Sequence, residues 1–193
     1  MIEVRQTVVF ERWLRDLRNI QAKARINARI RRVSLGLIGD VKPVGDGVVE
    51  LRIDYGPGYR LYFTRRGEAV LLLLVGGDKG GQDRDIRRAK QMAMELDWMG
   101  IATTRWDVTE HLDSEEAIAA YLDAVFEDGA PELIKAAIGD LACARGMTEI
   151  ARKAGITRAG LYKALADTGN PSFTTIASVM KALGVRLSVT TAS

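Results

Sequence analysis

The sequence predicts two folded bodies: an α+β body with an antiparallel sheet, then an all-α body that ends in a short strand. In the first body, residues 48–54 and 59–65 alternate apolar and polar side chains, which is the pattern of half-buried strands. After residue 113, apolar side chains recur at helical spacing instead. This change of period divides the chain into an α+β part and an α part.

The elements of the first body follow from these periods. Asn19 separates two helical patterns, and Gly36 and Gly39 end the second of them. The expected order is a strand over 2–9, helices over 10–17 and 21–37, strands over 48–54, 59–65 and 69–75, and a helix over 83–96. We expect the helices to cover one face of the sheet, since an antiparallel sheet commonly leaves its other face open.

The open face of this sheet is expected to carry cations and a tyrosine. Successive side chains of a strand point to opposite faces. The face towards the helices would carry the apolar side chains Leu51, Ile53, Leu61 and Phe63. Arg52, Arg60 and Tyr62 would then stand on the other face, with Lys79 near the same edge. Cations stabilise charge on phosphate oxygens and tyrosine stacks on bases, so the cluster suits a phosphodiester. The alternative is a set of solvated residues on an exposed sheet face.

Five stretches of the first body carry a resemblance to a known family. They are GDVKPV at 39–44, VELR at 49–52, YGPGYRLYF at 55–63, LLVGGDK at 73–79 and QDRDIRRA at 82–89. On these stretches residues 1–98 resemble toxins of the RelE/ParE superfamily, most closely the addiction-module killer proteins related to HigB. Many members cleave mRNA at the ribosome, whereas the ParE branch inhibits DNA gyrase. This body departs from the best-known nucleases because no tyrosine or histidine follows its last helix.

The resemblance implies a set of site residues. Arg60 falls where the nucleases hold the scissile phosphate, and Arg52 and Lys79 fall near other basic positions. The expected set comprises the catalytic residues Arg52, Arg60, Tyr62 and Lys79 and the RNA contacts Lys42, Arg65 and Arg84. The implied activity is a metal-independent mRNA endoribonuclease without a cofactor, in which the 2′-hydroxyl of the RNA attacks in line. The alternatives are an inactive toxin scaffold within a DNA-binding regulator, and a ParE-like gyrase inhibitor.

A strongly acidic segment lies between two basic regions. Residues 107–132 contain nine Asp or Glu and no Lys or Arg, whereas residues 1–98 carry a net charge of +6 and residues 133–193 a net charge of +5. Opposite charges attract most strongly where the contact excludes water. One hypothesis is therefore that the acidic segment, within residues 99–130, covers the basic toxin body. The alternative is that these carboxylates form the solvated face of an ordinary helix.

The second body begins with two amphipathic helices. Asp113 or Ser114 caps the first, Gly129 ends it, and Pro131 starts the next. Their apolar stripes are Ile118, Tyr121, Leu122 and Val125 on the first helix, and Ile134, Ala137, Ile138 and Leu141 on the second. A further helix is expected over 173–183 and a short strand over 185–189.

Residues 148–165 have helix-turn-helix spacing. Gly155 supplies the turn, Ile156 is expected to fill the core beneath it, and Thr157 caps the second helix. The predicted DNA-binding residues are Thr157, Arg158, Tyr162 and Lys163. A plain helical hairpin is the alternative.

The same region carries a second resemblance. The stretches RAGLYKAL at 158–165 and GNPSF at 169–173 resemble the Xre/Cro-type domains of HigA-like antitoxins, the addiction-module antidote proteins. The resemblance implies a homodimer that binds operator DNA and represses its own operon. The stretch TTRWD at 103–107 resembles the opening of such an antitoxin. The expected domains are a toxin over 1–98, an acidic neutralising segment over 99–130 and a DNA-binding domain over 131–193, joined by a natural or an artificial fusion. Neutralisation could occur within one chain or between two chains.

Composition limits the function classes. The single cysteine, Cys143, lies in a helical apolar pattern and is predicted to be a core residue of a cytoplasmic protein. His111 is the only histidine, so the sequence predicts no zinc site. The longest apolar run, 69–75, is too short to span a bilayer, and the charged N-terminus is unlike a signal peptide. The isoelectric point near 9.1 is compatible with a nucleic-acid partner.

Overall fold

The computed structural model describes residues 2–67, 70–99, 102–166 and 168–188, without the side chains of 96–99. The chain divides into two compact units, Met1–His111 and Leu112–Ser193. Ala69 at the start of a predicted strand, the Leu96 side chain of the predicted last helix, and Val189 at the end of the predicted final strand lie outside the described residues. The fold is mixed, with a six-stranded sheet in the first unit and helices in both.

The first unit is built from a sheet and three helices longer than one turn. In chain order these elements are β1 (Glu3–Thr7), α1 (Val8–Asp16), α2 (Ile20–Ser34), β2 (Val41–Gly45), β3 (Val48–Ile53), β4 (Tyr59–Arg66), β5 (Val70–Asp78), α3 (Gln82–Met99) and β6 (Thr103–Arg105). The strand order is β2-β3-β4-β5-β1-β6, in which β1 and β5 are parallel and all other neighbours are antiparallel. The predicted meander corresponds to β3, β4 and β5.

Two strands at the edges of the sheet were not predicted. β2 contains Pro43, which lacks a backbone N–H, and its register with β3 shifts between Pro43 and Gly45. Proline is confined to positions of this kind at sheet edges and bulges. β6 is only three residues long and pairs with β1 on the opposite edge. Such short strands carry little pattern of their own, and they form because a neighbouring strand offers its hydrogen-bonding groups.

Thr7 ends β1 and caps α1, so the predicted strand over 2–9 starts one residue too early and ends two residues too late. The Thr7 side chain accepts a hydrogen bond from the Phe10 backbone N–H at 3.1 Å and donates one to the Leu74 carbonyl at 2.8 Å. Asn19 caps α2 in a similar way by accepting from the Ala22 N–H at 2.9 Å. These caps satisfy helix N–H groups that otherwise have no partner.

Helices cover both faces of the sheet, so the prediction of helices on one face is wrong. Leu61 on β4 lies directly opposite Gly76 on β5, and residues in such a pair point to the same face. Trp13 of α1 lies over Gly76, where a β-carbon would come within 2.1 Å of its ring. The opposite face, which carries Tyr62, is covered by α3. One buried cluster there contains Val48, Tyr62, Leu72, Leu74 and Val75 of the sheet with Ala89, Met92 and Ala93 of α3.

β6 extends the sheet along β1. Arg5 pairs with Arg105, and the Arg5 side chain donates hydrogen bonds to the Thr103 hydroxyl and carbonyl, each at 2.9 Å. Beyond the strand, the Trp106 N–H donates to the Val4 carbonyl at 3.0 Å, and the Trp106 side chain is buried. Residues 103–106 are therefore part of the first folded unit.

The second unit contains the helices α4 (Glu115–Asp128), α5 (Pro131–Ala144), α6 (Met147–Lys153), α7 (Arg158–Leu165) and α8 (Phe173–Ala182). Ser114 caps α4 by accepting from the Ala117 N–H at 3.1 Å, and Gly129 ends it with a left-handed φ of 77°. Both boundaries agree with the sequence prediction. Residues 185–188 have no regular structure, so the predicted final strand does not form in its described part.

Cys143 is exposed, which contradicts its prediction as a core residue. The buried positions of α5 include Ile138 and Leu141. Residues two apart on a helix point about 200° apart, so Cys143 faces away from Leu141.

Within the described part of the chain, no helix combines the length and the apolar character needed to cross a membrane.

Candidate functional site

A buried carboxylate lies at the centre of the predicted cationic face. Glu50 on β3 is fully buried and lies directly opposite Tyr62 on β4. Its oxygens accept hydrogen bonds from Arg52 Nε at 2.9 Å, the Tyr62 hydroxyl at 3.2 Å and Gln82 Nε2 at 2.8 Å. Arg60 Nε lies 3.6 Å from the same carboxylate, close enough for an ion pair but too far for a hydrogen bond. A buried charge needs such partners, and Glu50 therefore holds the four side chains in one cluster.

The two arginines of this cluster differ in exposure. Arg52 is 41% exposed, and its hydrogen bond to Glu50, followed by the charge of Glu50, raises the pKa of the guanidinium. Arg60 is only 12% exposed and donates from Nη1 to the Gly58 carbonyl at 2.7 Å. Its Nε is buried and has no hydrogen-bond partner among the described residues. Arg60 is thus the more buried of the two cations.

Tyr62 does not stand on an open face, which corrects the prediction that it could stack on a base. Its side chain is fully buried beneath α3, in the cluster that includes Ala89 and Met92. Burial, followed by the charge of Glu50, raises the pKa of the Tyr62 hydroxyl well above its usual value. The hydroxyl is therefore a protonated donor to Glu50 at neutral pH, and its structural role is to support the carboxylate.

Lys79 lies beside Arg60 at the end of β5. It is exposed in a single helical turn, Lys79–Gly81, which Asp78 caps by accepting from the N–H groups of Gly80 and Gly81 at 2.9 and 3.2 Å. A β-carbon on Gly58 would lie 3.5 Å from Arg60 Nη1 and 3.9 Å from Lys79 Cβ. Arg60 and Lys79 therefore border the same glycine, as a site for one phosphate would require.

The three predicted RNA contacts lie at different places. Lys42 on β2 pairs with Glu50, so it belongs to the same face, and it is exposed. Arg65 points to the opposite face, because it is an odd number of residues from Tyr62 and the register shift beside Tyr62 places its extra residue on β5, not on β4. Arg84 lies in the first turn of α3, where it is exposed and pairs with Asp85 at 3.3 Å. Of the three, only Lys42 shares the strand face of the Glu50 cluster.

Glu50 and Gln82 are positions that the sequence patterns do not single out. Alternation places Glu50 on the same face as Arg52, but burial alone identifies it as the acceptor at the centre. Gln82 approaches from the start of α3, and no period in the sequence places it over β3. The sequence therefore indicates the cations of the cluster and omits the groups that position them.

An open groove lies next to this cluster, between α1 and the start of α3. It has a volume of about 670 Å³ and includes the end of β5 in its lining. Two glycines allow the helices to approach: a β-carbon on Gly76 would meet Trp13 at 2.1 Å, and one on Gly77 would meet Asp85 Oδ2 at 2.1 Å. The consecutive glycines of the GGDK stretch thus admit one helix on each face of β5.

The second unit presents a short helix–turn–helix pair formed by α6 and α7. Gly155 in the turn has a φ of +72°, and Thr157 caps α7 by accepting from the Gly160 N–H at 2.9 Å. Leu161 is fully buried, as predicted, whereas Ile156 is only partly buried and does not fill the core as expected. The left-handed φ of Gly155 and the Thr157 cap therefore stabilise the turn more than burial of Ile156 does.

The predicted DNA-binding residues form an exposed surface on α7 and at its start. Thr157, Arg158, Tyr162 and Lys163 are all exposed. The Arg158 guanidinium lies over the Tyr162 ring, 5.3 Å from its centroid, which is a cation–π geometry. Tyr162 is 46% exposed, so its ring is accessible from solvent. Among the described residues, no group of three or more His, Cys, Asp or Glu is arranged to hold a metal ion.

Comparisons with known proteins find similarity over parts of this chain. Residues 102–191 match a family model described as a probable addiction module antidote protein. A protein of Haemophilus influenzae strain Rd is 50% identical over 95 residues, which is 49% of this chain and 96% of the relative. A second protein of that strain is 55% identical over 84 residues, which is 44% of this chain and 87% of the relative. Both are named only as uncharacterized proteins, and no solved structure gives a significant match.

Proposed function

We propose that this chain joins an antitoxin to its own toxin in one polypeptide, on the premise that residues 102–191 match the family of probable addiction module antidote proteins. The toxin is a RelE/ParE-like domain in residues 1–98, and the antitoxin comprises an acidic neutralising segment over 99–130 and a DNA-binding domain over 131–193. Both act in the cytoplasm.

One observation carries this proposal. The match to the antidote family begins at residue 102, yet the first compact unit extends to His111. The first ten residues of the antidote match therefore fold with the preceding body, in which β6 pairs with β1 and Trp106 binds Val4. Strand addition of this kind is a common way for one protein to bind another. The body to which the antidote segment adds its strand is, in this proposal, the toxin.

The lengths of the relatives support a fusion. Each relative aligns over most of its own length with about half of this chain, and both come from one organism. At least one part of the chain therefore corresponds to a separate protein elsewhere. Two neighbouring genes that became one reading frame would produce this relation.

The proposed toxin chemistry is metal-independent cleavage of mRNA. Arg60 and Lys79 bind the scissile phosphate, and Glu50 holds the Arg60 guanidinium in place. The 2′-hydroxyl of the RNA attacks the phosphorus and loses its proton to water. The bond from phosphorus to the 5′-oxygen of the next nucleotide breaks, that oxygen takes a proton from water, and a 2′,3′-cyclic phosphate is formed. Cations fixed beside the phosphate stabilise the charge that develops on its oxygens. Arg52, which is more exposed, and Lys42 on the same face contact neighbouring parts of the RNA.

The proposed antitoxin function has two parts. The exposed residues of α7, with Arg158 and Lys163 as the cations, enter the major groove of operator DNA in a homodimer and repress the operon. The acidic segment neutralises the toxin within one chain or between two chains of the dimer. All nine carboxylates of residues 107–132 are exposed, so they are accessible for such a contact.

A second function is favoured by the state of the cation cluster. Glu50 neutralises part of the charge of Arg52 and Arg60, and the raised pKa of Tyr62 keeps it from serving as a base at neutral pH. A site with so little acid–base chemistry would also fit an inactive scaffold. In that case the protein acts only as a DNA-binding regulator.

Growth of cells tests the proposal. We expect expression of residues 1–99 to stop growth, the whole chain to be tolerated, and residues 102–193 supplied from a second plasmid to restore growth. Restoration also shows that the truncated toxin folds, since only a folded partner can bind the antidote. Mapping of mRNA ends in the arrested cells should reveal new cleavage sites.

Arg60→Ala in residues 1–99 provides the control. We expect this variant to permit growth while residues 102–193 still capture it in a pull-down experiment. Growth of cells with every form, while residues 102–193 still capture residues 1–99, would contradict the toxin and favour the inactive scaffold. Arrest with intact mRNA and loss of supercoiling would instead indicate a ParE-like inhibitor of gyrase.

A further inference from the structure

The groove between α1 and α3 is lined by arginine side chains from both helices. Arg12 and Trp13 line it from α1, and Arg84 and Arg88 line it from the first turns of α3. Residues four apart on a helix lie on one face, so Arg84 and Arg88 project to the same side. Tyr59 forms part of the lining, with its ring 6.4 Å from that of Trp13 in an edge arrangement.

Two arginines in this groove make no hydrogen bond or ion pair with the part of the chain that the structure describes. They are Arg12 and Arg88, and both are exposed. The carboxylates of the groove have other partners. Asp85 pairs with Arg84 at 3.3 Å. Asp78 accepts from the N–H groups of two glycines, and Asp16 pairs with Arg15 at 3.5 Å.

The groove lies close in the chain to the proposed phosphate site. Pro57 and Tyr59 belong to its lining, and Gly58 between them borders both Arg60 and Lys79. A nucleic-acid strand whose scissile phosphate lies at Arg60 would therefore have the groove beside it. Consecutive phosphates of an extended strand are separated by several ångströms, so a groove of about 670 Å³ has room for more than one nucleotide.

We infer that this groove binds single-stranded RNA adjacent to the cleavage site. Arg12 and Arg88 contact phosphates from opposite sides, and a base or ribose lies against Trp13 and Tyr59. Guanidinium groups suit phosphate because they offer paired N–H donors, and aromatic rings accept any base by stacking. This inference deepens the proposed RNA-cleaving function and rests on it for the choice of RNA.

The test measures binding of a fluorescein-labelled 2′-O-methyl RNA octamer by fluorescence anisotropy. This probe has no 2′-hydroxyl to attack, so binding is measured without cleavage. All proteins are full chains that carry Arg158→Ala and Lys163→Ala, which removes binding by the cations of α7. The groove variant adds Arg12→Ala and Arg88→Ala. The matched control adds Arg18→Ala and Arg87→Ala, which remove two exposed arginines near α1 and on α3 that do not line the groove.

We expect the groove variant to bind at least about tenfold more weakly than its parent, as the loss of two charge-assisted contacts predicts. The slope of log affinity against log salt should become shallower by about 1.4, or roughly 0.7 for each lost phosphate contact on a single strand. The control variant should remain within about twofold of the parent in affinity, because its arginines lie outside the groove. Competition by adenosine 5′-monophosphate should be much weaker than by unlabelled octamer, since one nucleotide cannot reach both arginines.

The outcomes separate this inference from the proposed function. Equal weakening in the groove and control variants, or no binding by the parent, would overturn the groove. Groove-dependent binding, with no cleavage of unmodified RNA by residues 1–99 that residues 102–193 still capture in a pull-down, would support the groove and remove the nuclease. RNA cleavage together with an affinity that does not change on substitution of Arg12 and Arg88 would support the proposed nuclease and contradict the inferred RNA-binding groove.

Discussion

Removal of Glu50 is expected to destabilise the first unit more than removal of any exposed carboxylate. Glu50 is fully buried and accepts three hydrogen bonds, with Arg60 Nε 3.6 Å away. Glu50→Ala leaves these donors without an acceptor, and loss of one partner of a buried ion pair costs about 3–5 kcal/mol. We therefore expect a decrease of about 3 kcal/mol or more in the free energy of unfolding, with a smaller decrease for Glu50→Gln, which keeps one acceptor oxygen.

Urea unfolding followed by tryptophan fluorescence measures this effect. The three tryptophans, Trp13, Trp98 and Trp106, all belong to the unit Met1–His111, so their fluorescence reports on that unit. With a urea dependence of about 2 kcal/mol per molar, the midpoint should fall by roughly 1.5 M. Glu11→Ala on α1 is the control, because its carboxylate lies 3.8 Å from Arg15 at the surface and such pairs contribute about 0.5 kcal/mol or less. A Glu50→Ala midpoint within 0.3 M of the control, roughly half a kcal/mol, would refute the central role of this carboxylate.

Three further predictions concern other parts of the molecule. Because the pKa of Tyr62 is raised in the folded state, its stabilising effect is complete below the unfolded pKa of about 10 and is lost at higher pH, so alkaline unfolding should begin above about pH 10. Tyr62→Phe should weaken that pH dependence and cost about 1 kcal/mol at neutral pH; an unchanged alkaline titration would contradict the assignment. Trp106→Ala should destabilise the first unit by about 3 kcal/mol, and hydrogen exchange at β1 should rise in this variant but not in Trp106→Phe. Arg158→Ala and Lys163→Ala should each weaken operator binding about tenfold in a gel-shift assay, whereas Lys181→Ala on α8 should not; equal affinities for all three would exclude α7 as the recognition helix.

Local sequence patterns were sufficient to predict a strand or helix where the apolar side chains of the segment recur at a regular spacing. The alternation at 48–54 and 59–65 agrees with β3 and β4, and Ser114 and Gly129 bound α4 as expected. Side-chain spacing and capping are properties of a few consecutive residues, so the sequence contains them completely. The cations Arg52 and Arg60 could also be placed on one strand face in this way.

Long-range packing decided what local patterns leave open. The same alternation that places Tyr62 beside Arg60 does not reveal that α3 covers that face and buries the tyrosine. Cys143 lies in an apolar stretch, but the direction in which α5 faces its neighbours leaves it exposed. Burial of a side chain depends on residues that are distant in the chain, so it cannot be predicted from a short segment of the sequence.

The sequence by itself determined the order of the main elements and the placement of Arg52 and Arg60 on one strand face. Only the tertiary structure decided that Glu50 gathers those cations and that residues 103–105 complete the sheet of the first unit. The physical reason is that hydrogen bonds between distant segments satisfy buried polar groups and exposed strand edges, whichever residues supply them. β6 has almost no strand pattern of its own, and it is a strand because β1 offers it an edge.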